Sequence, residues 1–340
     1  MMRSSEFDPE AKELELRAES SNWDVSNPVR ADPGDIPVID ISDWVASGDN
    51  VDLAAVAAQV NDACETAGFF QLVGHTVSRE LIDELFDMTE RFHALPLKVK
   101  ESLRMDREGW PVAGVGYLPM YSRKLPTRAK ANLNEAFVVK GNRELNFDES
   151  QWPGDDALPR FRDTVERYAG AVNRLASRLL PIYATALGLE ADFFALGFEH
   201  PSWRLRMTRY PPMPEQPEVD ADFGIAPHVD TTFFTLLLQD AAGLTIFSHT
   251  RGCWIQAPVV PGAFVVNSGE LMKQWTNDRY LSVRHFANND ASESRYSIPF
   301  FYNAAADFPM ECLPTCHDAD NPPKYPTISY NQSQAVAQGE

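Results

Sequence analysis

The chain has 340 residues, 44% of them apolar, enough for one large domain or two ordinary ones. Its net charge of −19 argues against a nucleic acid or an anionic membrane as partner, since both call for a basic surface. There is no apolar run of membrane-span length, no apolar core of a secretory signal near the start, and no disulfide-framework spacing among Cys64, Cys253, Cys312 and Cys316, so a reduced, cytoplasmic protein is expected.

Residues 1–33 are polar and acidic and read as an extension. "IPVIDI" is the first strand candidate. "VDLAAVAAQVNDACETAG" then sets Leu53, Val56, Val60 and Cys64 on one helical face, with Gly68 as the stop. "FFQLVGH" reads as an apolar strand. Ser78 can cap the next helix, with Leu81, Leu85, Met88 and Phe92 as its stripe, and Pro96 opens another helical turn. The clearest helix is "LPRFRDTVERYAGAVNRLASRLLPIYATALGL". Phe161, Val165, Tyr168, Val172, Leu175 and Leu179 form its core stripe, Pro181 should kink it and Gly188 suits its end.

After residue 200 the runs become short, β-branched or aromatic, and are punctuated by Pro, Gly and Asn: "WRLRMTRY", "TFFTLLLQD", "LTIFS", "CWIQAP", "AFVVNS" and "YSIPFFYN". Helices followed by many short strands predict a mainly β chain with flanking helices, a jelly roll or barrel. The expected parts are the extension 1–33, an N-terminal helix and strand part 34–150, and a long helix plus catalytic core over 151–335.

Two potential metal ligands, His228 and Asp230, stand two apart at the head of an apolar run. If 226–238 is one strand, both side chains face one cavity. Two ligands do not fix a metal, and a lone His beside an apolar strand is more often a hydrogen-bonded core residue. His285, in the strand-like "SVRHFANN", supplies a third; two histidines and one carboxylate on one face form the triad of non-haem iron(II) oxygenases. Ten residues on, Arg295 and Ser297 repeat the two-residue spacing. A planar guanidinium and a hydroxyl there suit a carboxylate that also chelates the metal. Cys312, Cys316 and His317 lack a second ligand pair at zinc spacing and are not read as a metal site.

At this point the chain resembles the iron(II)- and 2-oxoglutarate-dependent dioxygenases of the isopenicillin N synthase-like family. The resemblance runs from about residue 36 to about 330, through "IPVIDI", "GFFQLVGH", "RYPPMPEQPE", "PHVDTTFFTLLLQDAAGLTIF", "PGAFVVNSGELMKQWTNDRYLSVRHFA", "SRYSIPFFYN" and "NPPKYPTISY". It implies a double-stranded β-helix core. It implies His228, Asp230 and His285 as iron ligands, and Arg295, Ser297 and Tyr210 as the grip on 2-oxoglutarate, with O2 as the other cosubstrate. It also implies oxidation of a small-molecule substrate by hydroxylation, desaturation or ring closure, with release of succinate and CO2. Departures from the pattern are Thr208 where Asn is common, Arg209 where Tyr is common, and Phe286 where Arg is common. A related iron oxidase that does without 2-oxoglutarate, and a non-catalytic metal- or ligand-binding jelly roll, are the competing readings.

For the substrate pocket, strand alternation puts Pro299 and Phe301 on the face of Arg295 and Ser297. Tyr117, Tyr121 and Phe137 are candidate aromatic walls. Arg123, Lys124, Arg128 and Lys130 cluster in an otherwise acidic chain, and suggest a lid from Gly114 to Lys130 that attracts an anionic substrate.

Overall fold

The computed structural model describes residues 25, 27–47, 53–105, 115–122, 130–141, 151–215, 217 and 222–338. Thirteen described strands form two sheets. The larger has the order β2 (Val38–Asp40), β3 (Phe69–Val73), β11 (Phe264–Ser268), β8 (Phe234–Gln239), β13 (Arg295–Asn303), β6 (Ser202–Tyr210), β5 (Glu135–Gly141) and β4 (Val115–Leu118). The smaller has the order β1 (Val29–Arg30), β10 (Cys253–Gln256), β9 (Leu244–Ser248), β12 (His285–Ala287) and β7 (Ile225–His228). Strands from both sides of residue 150 share the larger sheet. Pairing with the smaller sheet already begins at Val29–Arg30, inside the segment expected to be an extension.

The helices are α1 (Ser42–Ser47), α2 (Leu53–Thr66), α3 (Arg79–His93), α4 (Leu97–Ser102), α5 (Phe161–Ala186), α6 (Glu270–Trp275) and α7 (Tyr330–Gln338). Helix α2 buries Val56, Val60 and Cys64 as its periodicity requires, and ends at Gly68, whose φ of +66° lets its N–H reach the Ala63 carbonyl at 2.8 Å. Ser78 caps α3 by accepting from the Leu81 N–H. The buried stripe of α3 is centred on Ile82, Leu85 and Phe92, so Leu81 lies at its margin. Helix α5 continues across Pro181 to Ala186.

One face of the larger sheet packs on the helices and the other faces the smaller sheet. Alternation sorts each strand accordingly. Leu205 and Met207 of β6, Phe234, Leu236 and Leu238 of β8, Phe264 and Val266 of β11, and Ile298, Phe300 and Tyr302 of β13 join the core that contains α2, α3 and α5. The intervening residues, Arg206, Thr208 and Tyr210, Thr235 and Leu237, Val265 and Asn267, and Arg295, Ser297, Pro299 and Phe301, line a pocket between the sheets.

Candidate metal and cosubstrate site

His228 and His285 are register partners on the antiparallel pair β7 and β12, which brings their rings to 4.4 Å between centroids. Asp230 is not on the same strand as His228, as the expectation for 226–238 had it. Strand β7 stops at His228, and β8 begins at Phe234 in the other sheet. The five residues between must cross from one sheet to the other, and Asp230 lies on that crossing. The ligand atoms of His228, Asp230 and His285 all fall within 4.8 Å of one another.

Their hydrogen bonds fix which atom each can offer. His228 Nδ1 lies 2.8 Å from the Ala226 carbonyl and His285 Nδ1 3.1 Å from that of Val283. A carbonyl only accepts, so both Nδ1 atoms carry the proton and donate. Both Nε2 lone pairs then face the carboxylate, at 3.6 and 3.8 Å from Asp230 Oδ1. Asp230 Oδ2 accepts from Thr235 Oγ1 at 2.8 Å and from Asn267 Nδ2 at 3.0 Å, which leaves Oδ1 as the open donor atom. Burial, and then the neighbouring His228, pull His285 down to about 4, so it is neutral at physiological pH. Burial works against the charge of Asp230, but the two histidines and Asn267 hold its carboxyl well below the usual range. Two imidazoles that turn Nε2 toward one carboxylate fit iron(II).

At the far end of the pocket, Arg295 is 1% exposed. Its Nε donates to the Ala241 carbonyl at 3.1 Å, its Nη2 to Gln239 Oε1 at 3.0 Å, and the guanidinium lies 5.0 Å from the Tyr210 ring centroid. Its Nη1 is buried with no partner. A charge-bearing donor left open in a pocket wall fits an incoming carboxylate, as 2-oxoglutarate would supply. Gly243 makes room for this arginine. At φ +147°, a Cβ there would lie 2.8 Å from Arg295 Nε and 2.2 Å from the Asn288 carbonyl. Ser297 and Tyr210 line the same pocket, and Ser297 is paired in register with Thr208.

Pro299 and Phe301 line the pocket as alternation requires. Phe301 is held by the Arg204 guanidinium, 4.4 Å from its ring centroid. Three other expected walls stand elsewhere. Tyr117 and Phe137 point to the helix side of the sheet, where Phe137 packs on Phe92, Trp152 and Phe161 and Tyr117 donates to Glu135. Tyr121 is 61% exposed. Lys130 pairs with Asp222 at 2.9 Å. Gly114, Arg123, Lys124 and Arg128 lie outside the described residues. Sequence reasoning missed Thr235, Asn267 and Arg206. Thr235 and Asn267 are each a polar residue at an inward position of a mostly apolar strand, and Arg206 alternates with Thr208 and Tyr210 on β6; those were the available signals.

The comparisons agree with this architecture. The family model for the 2OG-Fe(II) oxygenase superfamily matches residues 202–304, and that for the non-haem dioxygenase in morphine synthesis N-terminal region matches residues 36–155. The 2-oxoglutarate-Fe(II) type oxidoreductase hxnY of Emericella nidulans is 35% identical over 306 residues, 86% of each chain. A full-length Neurospora crassa protein, solved in complex with alpha-KG, superposes with a TM-score of 0.79 at 22% identity, covering 92% of this chain and 99% of that one. JOX2, solved in complex with 2OG, Fe and JA, gives 0.74 at 27% identity, covering 91% and 90%. The chain belongs to the 2OG-Fe(II) oxygenase superfamily. It has that superfamily's double-stranded β-helix and is a 2-oxoglutarate-dependent non-haem iron oxygenase, with Fe(II), 2-oxoglutarate and O2 as cofactor and cosubstrates.

Proposed function

We propose that His228, Asp230 and His285 hold the iron, and that Arg295, with Ser297 and Tyr210, grips the far carboxylate of 2-oxoglutarate. The observation that carries this reading is the open Nη1 of Arg295 in the same pocket as the three converging ligands. Iron and 2-oxoglutarate, when bound, supply the oxidising power, with succinate and CO2 as products. The protein's part is positional. The Ala226 and Val283 carbonyls hold the imidazoles in the ligating tautomer, Thr235 and Asn267 aim Asp230, and Arg295 sets the reach of the cosubstrate. Phe69, Leu237, Leu244 and Val265 keep the pocket apolar, so the polar contacts act in a medium that strengthens them.

The substrate is a small molecule seated beside Phe301 and Pro299 and oxidised by hydroxylation, desaturation or ring closure. We place the enzyme in the cytoplasm, where four unpaired cysteines are at home. We read 34–150 and 151–335 as two parts of one catalytic unit. The test is anaerobic titration of the iron(II) protein with 2-oxoglutarate, followed in air by succinate assay. The wild type should give the weak visible band of a chelated keto acid and succinate that depends on 2-oxoglutarate. Asp230→Ala should lose both while keeping its circular dichroism. Wild-type iron affinity in Asp230→Ala would remove that residue from the centre, and oxygen uptake that ignores 2-oxoglutarate would point to the oxidase reading.

A further inference from the structure

A second buried arginine faces the same pocket. Arg206, on β6, is 8% exposed and lines the pocket with the metal triad. Its Nη2 donates to Asn134 Oδ1 at 2.6 Å. The Asn134 amide is itself fixed, because its Nδ2 donates to the Gly224 carbonyl, so its oxygen must face Arg206. Arg206 Nε is buried with no partner. No carboxylate of the described residues forms an ion pair with it, and the charged or ionisable groups that act on it are Tyr210 and Arg204. Burial draws it down only to about 10, so it stays cationic at neutral pH.

Register places it. On β13 and β6, Arg295 faces Tyr210, Ser297 faces Thr208 and Phe301 faces Arg204. Arg206 therefore falls opposite Pro299, between the cosubstrate grip and Phe301. Phe301 in turn faces Thr235 on β8, the residue that hydrogen-bonds Asp230. Arg206 thus stands on the metal side of Ser297, where a primary substrate must come. The cosubstrate leaves it no partner. Of the two carboxylates of 2-oxoglutarate, one belongs to the metal and the other to Arg295. A buried cation without a counter-ion is costly, and a ligand anion offsets that cost.

Resting on the site assignment proposed above, we infer that Arg206 anchors a carboxylate of the primary substrate and so determines specificity for a small organic acid. One guanidinium fork, set by one amide and walled by apolar side chains, suits a planar carboxylate better than a phosphate, which needs more donors.

The test uses the anaerobic iron(II)·2-oxoglutarate protein and reads the perturbation of its visible band. The probes are aromatic and aliphatic monocarboxylates, each beside its neutral amide, such as benzoate with benzamide and hexanoate with hexanamide. At least one acid should bind the wild type roughly tenfold or more tightly than its amide. Arg206→Gln should abolish that preference and leave the dissociation constant of 2-oxoglutarate within about twofold. If Arg206→Gln does not fold, Arg206→Lys decides: acids should bind roughly tenfold weaker, with amides and 2-oxoglutarate unchanged. Three results overturn the inference: no acid preferred in the wild type, a preference that survives in the variants, or a loss of 2-oxoglutarate affinity in place of acid affinity. A wild type that forms no band with 2-oxoglutarate is a different failure, and sinks the site assignment beneath it.

Discussion

Strands β5 and β6 carry charged residues on both faces, and the two faces are built differently. On the helix side, Glu135 is 3% exposed and its carboxylate takes Lys100 at 2.9 Å, Arg209 at 2.8 Å and the Tyr117 hydroxyl, with His93 at 3.6 Å. Both oxygens are engaged and the group is closed. On the pocket side, Arg206 and, across the ladder on β13, Arg295 each keep a buried donor with no partner. Burial alone does not tell structure from function here, since both groups are buried. The completeness of pairing does. The Glu135 carboxylate, with both oxygens engaged, ties α3 and α4 to the sheet, whereas the open donors of Arg206 and Arg295 face the pocket.

That contrast predicts where each residue should be felt. Removing an open cation should act mainly on ligand binding. Arg295→Ala should raise the Michaelis constant for 2-oxoglutarate by roughly 30-fold to several thousand-fold, the equivalent of about 2–5 kcal/mol for a buried charged contact. Its melting temperature should fall less than that of Glu135→Gln, because the bonds lost to Ala241 and Gln239 are partly offset by the removal of a buried charge. A Michaelis constant close to wild type would show that the open Nη1 is not the cosubstrate's grip.

Removing a member of the closed cluster should do the reverse. Glu135→Gln strands Lys100 and Arg209 and should cost about 3–5 kcal/mol in urea unfolding. The 2-oxoglutarate constant should stay within about twofold. The pH dependence carries a sign. Burial raises the Glu135 carboxyl, but His93, Tyr117 and Lys100 outweigh it and hold the folded value below the ordinary 4.5. The cluster's contribution is therefore complete above that pH and is lost as pH falls through the folded value. Wild type should lose stability more steeply than Glu135→Gln on acidification below 4.5, and parallel curves would refute the assignment.

The same contrast explains what the sequence made legible. His228 with Asp230, and Arg295 with Ser297, stand out because each pair is two apart and unlike its neighbours, while His285 entered only as the third ligand such a triad requires. The reason first given for His228 and Asp230 was still wrong in detail, since a sheet crossing and not a continuous strand brings them together. Tyr117 and Phe137 were misplaced because a strand's period says which residues share a face, not which face meets the pocket. In "NEAFVVK" the bulky Phe137 went to the helices, and small Ala136 and Val138 took the other side. Arg206 was within reach, since "WRLRMTRY" alternates and Tyr210 was already assigned to the pocket. What no local pattern could show is the absence of a counter-ion among the described residues, because the partners of a buried charge come from distant segments. Asn134 lies 72 positions from Arg206.

The smallest effect tests the remaining cation of the proposed lid. Lys130 Nζ lies 2.9 Å from both oxygens of Asp222, with the two side chains 40% and 19% exposed. Half in water and already paired, it differs from Arg206 in both respects. An ion pair of this kind contributes about 0–1 kcal/mol, and less as salt rises. Lys130→Gln should therefore move urea stability by less than about 1 kcal/mol. It should also leave the affinity for the carboxylate probes within about threefold, at low and high salt alike. Its charge is turned toward Asp222, so it adds little to the field felt by an acid at Arg206. A tenfold weakening at low salt that disappears at high salt would reverse this ranking. It would return the recruitment of an anionic substrate to the segment around Lys130.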